Sequence, residues 1–276
     1  MSWDFLQPSN LKEATEMLNC GEDLRILAGG TDLIVQLRER KISCRYVMDI
    51  KKIPELNVFG KSGKSLEIGG AINLNMIQES DLCGSSYSVL KDGAYSHANY
   101  LLRNRATLIW NICNASPGGD MIPASLVLDG TLEAVSTNGS RLIPLRDFFT
   151  GAGKHVLQKN ELITKIIFPE KEGQGVYFKK KRTKGHDLAQ MGVAGFWASD
   201  GKLSFGMAVL APTPLLISGL GPFDKNSLVK ARPDIEAEVL GRISPRDSRR
   251  STKEYRIAMV KHFIGEIISR FTEGSL

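Results

Sequence analysis

Two stretches rich in glycine and amide side chains constrain this chain more than any other feature. One is Leu27-Ala28-Gly29-Gly30-Thr31-Asp32; the other runs from Thr107-Leu108-Ile109-Trp110-Asn111 through Asn114, Ser116, Pro117 and Gly119 to Asp120. The first follows a short apolar run, Leu24 to Ala28, and precedes Leu33, Ile34 and Leu37 at helical spacing, so it reads as a strand-to-helix turn. Backbone N–H groups at a helix start lack intrahelical acceptors, and the helix dipole favours an anion there. Gly29 and Gly30 let an oxyanion approach the backbone, while Thr31 adds a hydroxyl and Asp32 a cap. The second stretch carries more donors than a plain turn needs. Together the two read as halves of one pyrophosphate cradle, for which a dinucleotide such as FAD is the natural ligand. The G-x-G-x-x-G spacing of a Rossmann turn is absent, which points to a different dinucleotide fold.

At 276 residues and 42% hydrophobic content the chain can bury a sizeable core and is long enough for two or three subdomains. It has no basic leader before an early apolar segment and no run of about 18 apolar residues, so a cytoplasmic protein without a membrane span is expected. Cys20, Cys44, Cys83 and Cys113 form no C-x-x-C pair, which disfavours zinc, an iron–sulfur cluster or a disulfide framework. The net charge of +6 is mild for this length, and with aromatics at 7% no nucleic-acid motif emerges. The densest basic run, Lys179-Lys180-Lys181-Arg182, reads by itself as a solvated strand end. His97, His186 and Asp187 form no catalytic set, and a lone histidine on a helix is more often packed or solvated than catalytic.

An α+β fold is expected. Asn10 and Glu13 form a capping box for a helix carrying Leu11, Ala14 and Leu18, which Gly21 stops. The strand before Gly29, the helix from Leu33 to Lys41 and a strand over Tyr46 to Ile50 complete a small N-terminal β-α-β lobe. A mixed α+β lobe follows. It has a strand at Leu66 to Ala71, a cap at Asn73 or Asn75, one helix marked by Tyr87, Leu90, Ala94, Ala98 and Leu101, and a hairpin turning at Asn138-Gly139 with type I′ geometry. After a linker at Pro169 to Gly175, strands at Val176 to Lys180, Gly192 to Ala198 and Leu203 to Leu210 form a three-stranded antiparallel sheet. A closing amphipathic helix through Ile257, Val260, Ile264, Ile267 and Phe271 covers that sheet. The expected boundaries are 1–58 and 59–170 for the two lobes and 171–276 for the C-terminal subdomain.

Several strings resemble a known family nearly end to end. They are Ala28-Gly29-Gly30-Thr31-Asp32-Leu33, Arg103-Asn104-x-Ala106-Thr107 leading into Asn111-Ile112-x-Asn114-Ala115-Ser116-Pro117 and Asp120, Tyr177-x-Lys179 with Asp187-x-Ala189, and Asp247-x-x-Arg250-Ser251-x-x-x-Tyr255-Arg256. The chain resembles the FAD-binding medium subunit of molybdenum hydroxylases, of the xanthine dehydrogenase and carbon monoxide dehydrogenase type.

That resemblance implies a two-part FAD-binding domain followed by an α+β subdomain. It places the FAD pyrophosphate against Ile26, Leu27, Ala28, Gly29, Gly30, Thr31, Asp32 and Leu33 on one side, and against Thr107, Ile109, Trp110 and Asn111 on the other. Asp120 would hold polar groups of the cofactor, and Ile163 and Lys179 would lie against the flavin half; no catalytic side chain and no metal ligand is implied. It further implies a molybdopterin-binding large subunit and a [2Fe-2S] small subunit as partners, with electrons leaving through FAD to NAD or another acceptor. The chain departs from the family at Ile109-Trp110, where Gly-Gly is usual and glycine permits close approach or positive φ. A flavin-free structural subunit and a free-standing FAD-dependent oxidoreductase are therefore the alternative readings.

Overall fold

The computed structural model describes residues 3–20, 23–185 and 187–273, so the proposed helix stop at Gly21 and the histidine at 186 lie outside the described residues. The chain opens with β1 (Asp4–Leu6), α1 (Leu11–Asn19), β2 (Leu24–Leu27), α2 (Leu33–Arg38) and β3 (Tyr46–Asp49). All pairings are parallel, in the order β1-β3-β2, so β2, α2 and β3 form the expected β-α-β unit and β1 adds an edge strand. The N-terminal cap of α1 is built differently from a capping box. Asn10 accepts from Glu13 N at 2.9 Å, but the Glu13 carboxylate reaches one residue further back, to Ser9 N at 2.8 Å.

Next come β4 (Phe59–Ser62), β5 (Ser65–Gly69), α3 (Leu74–Glu79), α4 (Ser88–Ser96), α5 (Tyr100–Arg103), α6 (Leu108–Cys113) and α7 (Met121–Val127). They are followed by β6 (Thr131–Ser136), β7 (Gly139–Pro144), the small hairpin β8 (Phe149–Gly151) and β9 (Lys154–His155), and β10 (Leu162–Pro169). An antiparallel sheet of order β4-β5-β10-β6-β7 backs the helices. Asn73 caps α3 through Met76 N at 3.0 Å, whereas Asn75 is buried and donates to Tyr100 O and Asn104 Oδ1. The single helix expected over Tyr87 to Leu101 is two. The chain leaves the helix at His97, Ala98 takes φ 46°, and Asn99 caps α5 through Leu102 N. Arg103 fixes this break by donating from Nη1 to His97 O at 3.1 Å and from Nε to Asn75 Oδ1 at 3.1 Å. The β6–β7 turn is not type I′ either: Ser136 pairs with Gly139, and of the two expected turn residues only Gly139 has positive φ, at 121°.

The last part holds β11 (Gly173–Lys180), β12 (Met191–Ala198), β13 (Leu203–Ala208), β14 (Leu215–Leu220), α8 (Lys225–Lys230), α9 (Arg232–Arg242) and α10 (Lys253–Glu273). The antiparallel sheet has four strands in sequence order, so β14 is one strand beyond the three expected. The expected linker is mostly strand, because β10 runs to Pro169 and β11 begins at Gly173. Val260, Ile264 and Ile267 of α10 are fully buried with Val193, Phe205 and Ile217 of the sheet, as the helical apolar stripe requires. The core of the second lobe extends into this sheet through Tyr177, Ala194 and Phe196. No helix among the described residues is long and apolar enough to cross a membrane.

Gly29 joins the first lobe to the second. A Cβ there would lie 2.0 Å from Arg105 O, inside any allowed contact. Gly29→Ala is expected to lower stability by about 1–3 kcal/mol, the cost of overpacking. Gly241→Ala, inside α9 with open space around it, is expected to raise stability by about 0.5–1 kcal/mol from helix propensity. Thermal unfolding of the two variants should therefore shift in opposite directions.

Candidate functional site

The two motif stretches meet. A cavity of about 660 Å³ is lined by Ile26, Asp32 and Leu33 from the first turn, Trp110 and Asn114 from the second, and Ile163 from β10. Among the described residues, the N–H groups of Gly29, Gly30, Thr31 and Asp32 meet no backbone or side-chain acceptor. Gly30 takes φ 77°, a conformation glycine adopts without cost, and its carbonyl accepts from Ile34 N at 3.2 Å. Leu27 and Ala28 are buried behind this turn. The expected cap is not made: Asp32 has φ −104° and ψ −49°, helical angles that do not let its carboxylate fold back onto the first-turn N–H groups. The carboxylate lies exposed on the cavity wall instead.

On the other side, Thr107 caps α6 by accepting from Trp110 N at 3.3 Å, so its hydroxyl is engaged in holding the helix. Ile109 and Trp110 both lie inside α6 and neither has positive φ. The backbone there does not require glycine. Ile109 is fully buried in the core of the second lobe, and the half-buried Trp110 indole turns to the cavity wall. Asn111 Oδ1 accepts from Met121 N at 3.1 Å, which ties α6 to α7.

Asp120 and Lys179 form a second group, away from the cavity wall. Lys179 Nζ donates to Asp120 Oδ2 at 2.9 Å and to Ser96 O at 3.1 Å, with both charged side chains nearly inaccessible at 5% and 6%. Lys179 is thus not a solvated strand end; its partner lies 59 residues away in sequence. His97 Nδ1 lies 3.1 Å from the same Oδ2, so this histidine is neither lone nor solvated. Tyr177 OH donates to Oδ1 at 3.3 Å, and burial together with the Asp120 charge pushes the phenol well above its usual range and keeps it protonated. Ile163 and Lys179, expected on one half of a ligand, therefore fall into different groups. Asp187 is occupied locally, accepting from Arg182 N at 3.2 Å and Leu188 N at 2.9 Å.

The cavity also exposes residues that no motif singled out. His155 stacks on Phe148 at 5.2 Å and 19°. Among the described residues its Nδ1 is buried without a partner, and burial pushes its pKa down, so the ring is neutral at neutral pH. Glu161 stands on the same wall, held by Arg141 through Nε at 2.6 Å and Nη2 at 2.9 Å, and it accepts from Gln158 N at 2.8 Å. The only sequence signal for this pair is the β6–β7 hairpin, which carries Arg141 to it. An indole and an imidazole on one cavity wall, beside a turn that has four free N–H groups and whose Asp32 lines the cavity, suit a ligand with both rings and phosphates.

Residues 1–171 match the family described as the FAD binding domain in molybdopterin dehydrogenase. The chain belongs to that family. It is 30% identical to the xanthine dehydrogenase FAD-binding subunit of Escherichia coli O157:H7 over 96% of this chain and 94% of that one. It is 26% identical to the carbon monoxide dehydrogenase medium chain of Hydrogenophaga pseudoflava, over 97% and 95% of the two chains. Among solved structures, carbon monoxide dehydrogenase of the same organism superposes with a TM-score of 0.86 at 25% identity, covering 96% of both chains. Reconstituted CO dehydrogenase from Oligotropha carboxidovorans gives 0.88 at 26% identity, covering 100% and 99%. The chain is thus an oxidoreductase subunit of the molybdenum hydroxylase family with an FAD-binding domain, and the α+β fold expected for that family is the one observed.

Two outcomes check the energetics. Asp120→Asn leaves the Lys179 ammonium buried without its counter-charge and is expected to cost about 3–5 kcal/mol in urea unfolding. Hydrogen bonds from Arg141 hold Glu161 below the usual carboxylate range. The stability this supplies is fully present above that range and is lost as pH falls through it. Glu161→Gln is expected to be less stable than the parent chain at neutral pH and to converge on it in acid, in unfolding midpoints measured across pH.

Proposed function

We propose that the cavity between the Gly29-Gly30 turn and α6 holds FAD, and that the chain passes electrons from the [2Fe-2S] clusters of a small partner subunit through this FAD to NAD or another acceptor. A large subunit would carry the molybdopterin and oxidise the substrate. The observation that carries the reading is the convergence of Ile26, Asp32 and Leu33 with Trp110 and Ile163 on one cavity, beside a turn whose N–H groups are free.

Bound FAD would supply hydride and single-electron transfer, chemistry that belongs to the cofactor and not to side chains. The chain's own work is binding and orientation. The Gly29 to Asp32 N–H groups take the pyrophosphate, joined by Thr31. Leu27, Ala28, Thr107 and Asn111 act from behind by fixing the backbone of the two loops, and buried Ile109 anchors α6 to the core. Trp110 and the neutral His155 line the cavity with flat ring surface. Asp120, with Lys179, His97 and Tyr177 on its two oxygens, is buried away from the cavity wall and serves the cofactor through the junction of α7 and β11 that it locks.

Purification of the full chain with its native partners, followed by a visible absorbance spectrum, tests the proposal: bound flavin together with molybdenum and iron–sulfur subunits is the expected result. A chain that copurifies with those subunits but takes up no added FAD would be a structural subunit, and FAD without any partner would mark a free-standing oxidoreductase. Trp110→Gly opens the cavity while leaving α6 anchored through Ile109. It is expected to change FAD affinity by about tenfold or more, the scale of one aromatic contact, with flavin release measured by equilibrium dialysis.

A further inference from the structure

A smaller cavity of about 310 Å³ lies where the Ser116–Gly118 turn meets the segment leading into α10. It shares no lining residue with the Ile26–Trp110 cavity. One wall is charged, carrying Arg246, Arg250 and Arg256 against a single carboxylate, Asp247. That carboxylate is already engaged, because Asp247 Oδ1 accepts from Lys253 N at 2.7 Å. The facing wall is made of small residues, Ser116, Gly118 and Ala189, which leave the space open.

Two observations set this cleft apart from an ordinary basic surface. Arg256 is 4% exposed; its Nη1 donates to Arg246 O and its Nη2 to Ser248 Oγ at 2.8 Å, while its Nε is buried with no acceptor among the described residues. A buried charged side chain with a donor left unpaired is costly to keep, and this one lines the cleft behind two exposed guanidinium groups. The second is strain in the lining: Val209 holds φ 69°, a genuine outlier for a β-branched residue, and Ala115 beside Ser116 holds φ 45°. Backbone strain of this kind is retained at binding sites, where the surrounding structure over-determines it.

We propose that this cleft is a binding site for the phosphate group of a small molecule, taken by Arg246, Arg250 and Arg256. The guanidinium fork matches phosphate oxygens two at a time and keeps its charge at any working pH. Arg246 and Arg250 are exposed and meet the anion first; Arg256 offers a donor already fixed in direction by its two other bonds. The cleft uses neither the Gly29 turn nor α6, but its Ser116–Gly118 wall belongs to the second motif stretch, so only binding that persists with FAD in place separates it from the FAD reading.

Inorganic pyrophosphate, titrated calorimetrically at constant ionic strength into the full chain saturated with FAD, tests it. Saturable one-site binding is expected, weakened about tenfold or more by R246A/R250A, the scale of losing charge-assisted hydrogen bonds. Flavin content and unfolding midpoint should stay unchanged in that variant. R256Q should weaken binding as well; should it fail to fold, the double variant at two exposed positions decides alone. Equal affinity in the double variant, loss of the signal once FAD saturates the chain, or an equal response to acetate would overturn the proposal. If the chain takes up no FAD, the same comparison of parent and R246A/R250A on the flavin-free protein still decides, so the two readings fail separately.

Discussion

The contact between Gly29 and the Arg105–Ala106 backbone holds the rest of the molecule in its working arrangement. Two loops separated by more than seventy residues touch main chain to main chain, with 2.0 Å between Arg105 O and the place a Cβ would occupy. No side chain can be inserted there without driving the parallel N-terminal sheet away from the antiparallel one. The usual explanation for glycine in such a turn is room for a phosphate, and Gly30 at φ 77° suits it. For Gly29 the stronger requirement is internal: the cavity has two walls only because this residue lets them meet.

A second junction, between the middle lobe and the C-terminal sheet, is polar. Asp120 at the start of α7 gathers Lys179 and Tyr177 from β11 and His97 from the break between α4 and α5. Burying two charges costs several kcal/mol per ion unless each is paired and hydrogen-bonded, and here every oxygen of Asp120 has a donor within reach. Such a junction supplies direction as well as attachment, because its hydrogen bonds tolerate little sliding. The apolar packing of Tyr177, Ala194 and Phe196 into the middle core acts with it. The break at His97 is therefore part of the junction: an uninterrupted helix would not place that imidazole against Asp120.

The sequence revealed those parts of the fold whose causes are local. Asn10 and Asn73 each cap the helix that follows, and the apolar spacing of α10 predicts the face it buries. The strand, glycine turn and helix around Gly29 follow from the order of residue types. What escaped depends on partners far away or on elements too short to carry a pattern. Lys179 reads as one cation in a basic run because Asp120 lies 59 residues away. Three-residue β1 has no periodicity to detect, and β14 ends in Ser218-Gly219-Leu220, which reads as turn. His155 is an isolated histidine in sequence and gains meaning only from Phe148 beside it and the cavity in front of it. The family resemblance points to the two loops and Asp120 as cofactor contacts, but the separation of Ile163 from Lys179 becomes visible only in three dimensions.

The placement of Ile109 and Trp110 inside α6 has a consequence for how this protein can change over evolutionary time. A turn that needs positive φ accepts few residues, so its sequence is frozen by its shape. A helical turn accepts nearly all of them at a cost below about 1 kcal/mol, and successive helical residues project in directions about 100° apart. Position 109 is thus answerable to the core and position 110 to the cavity, each without disturbing the other. The chain can trade a bare backbone for an indole at 110 and alter the shape and chemistry of the cavity while every main-chain atom around it keeps its course.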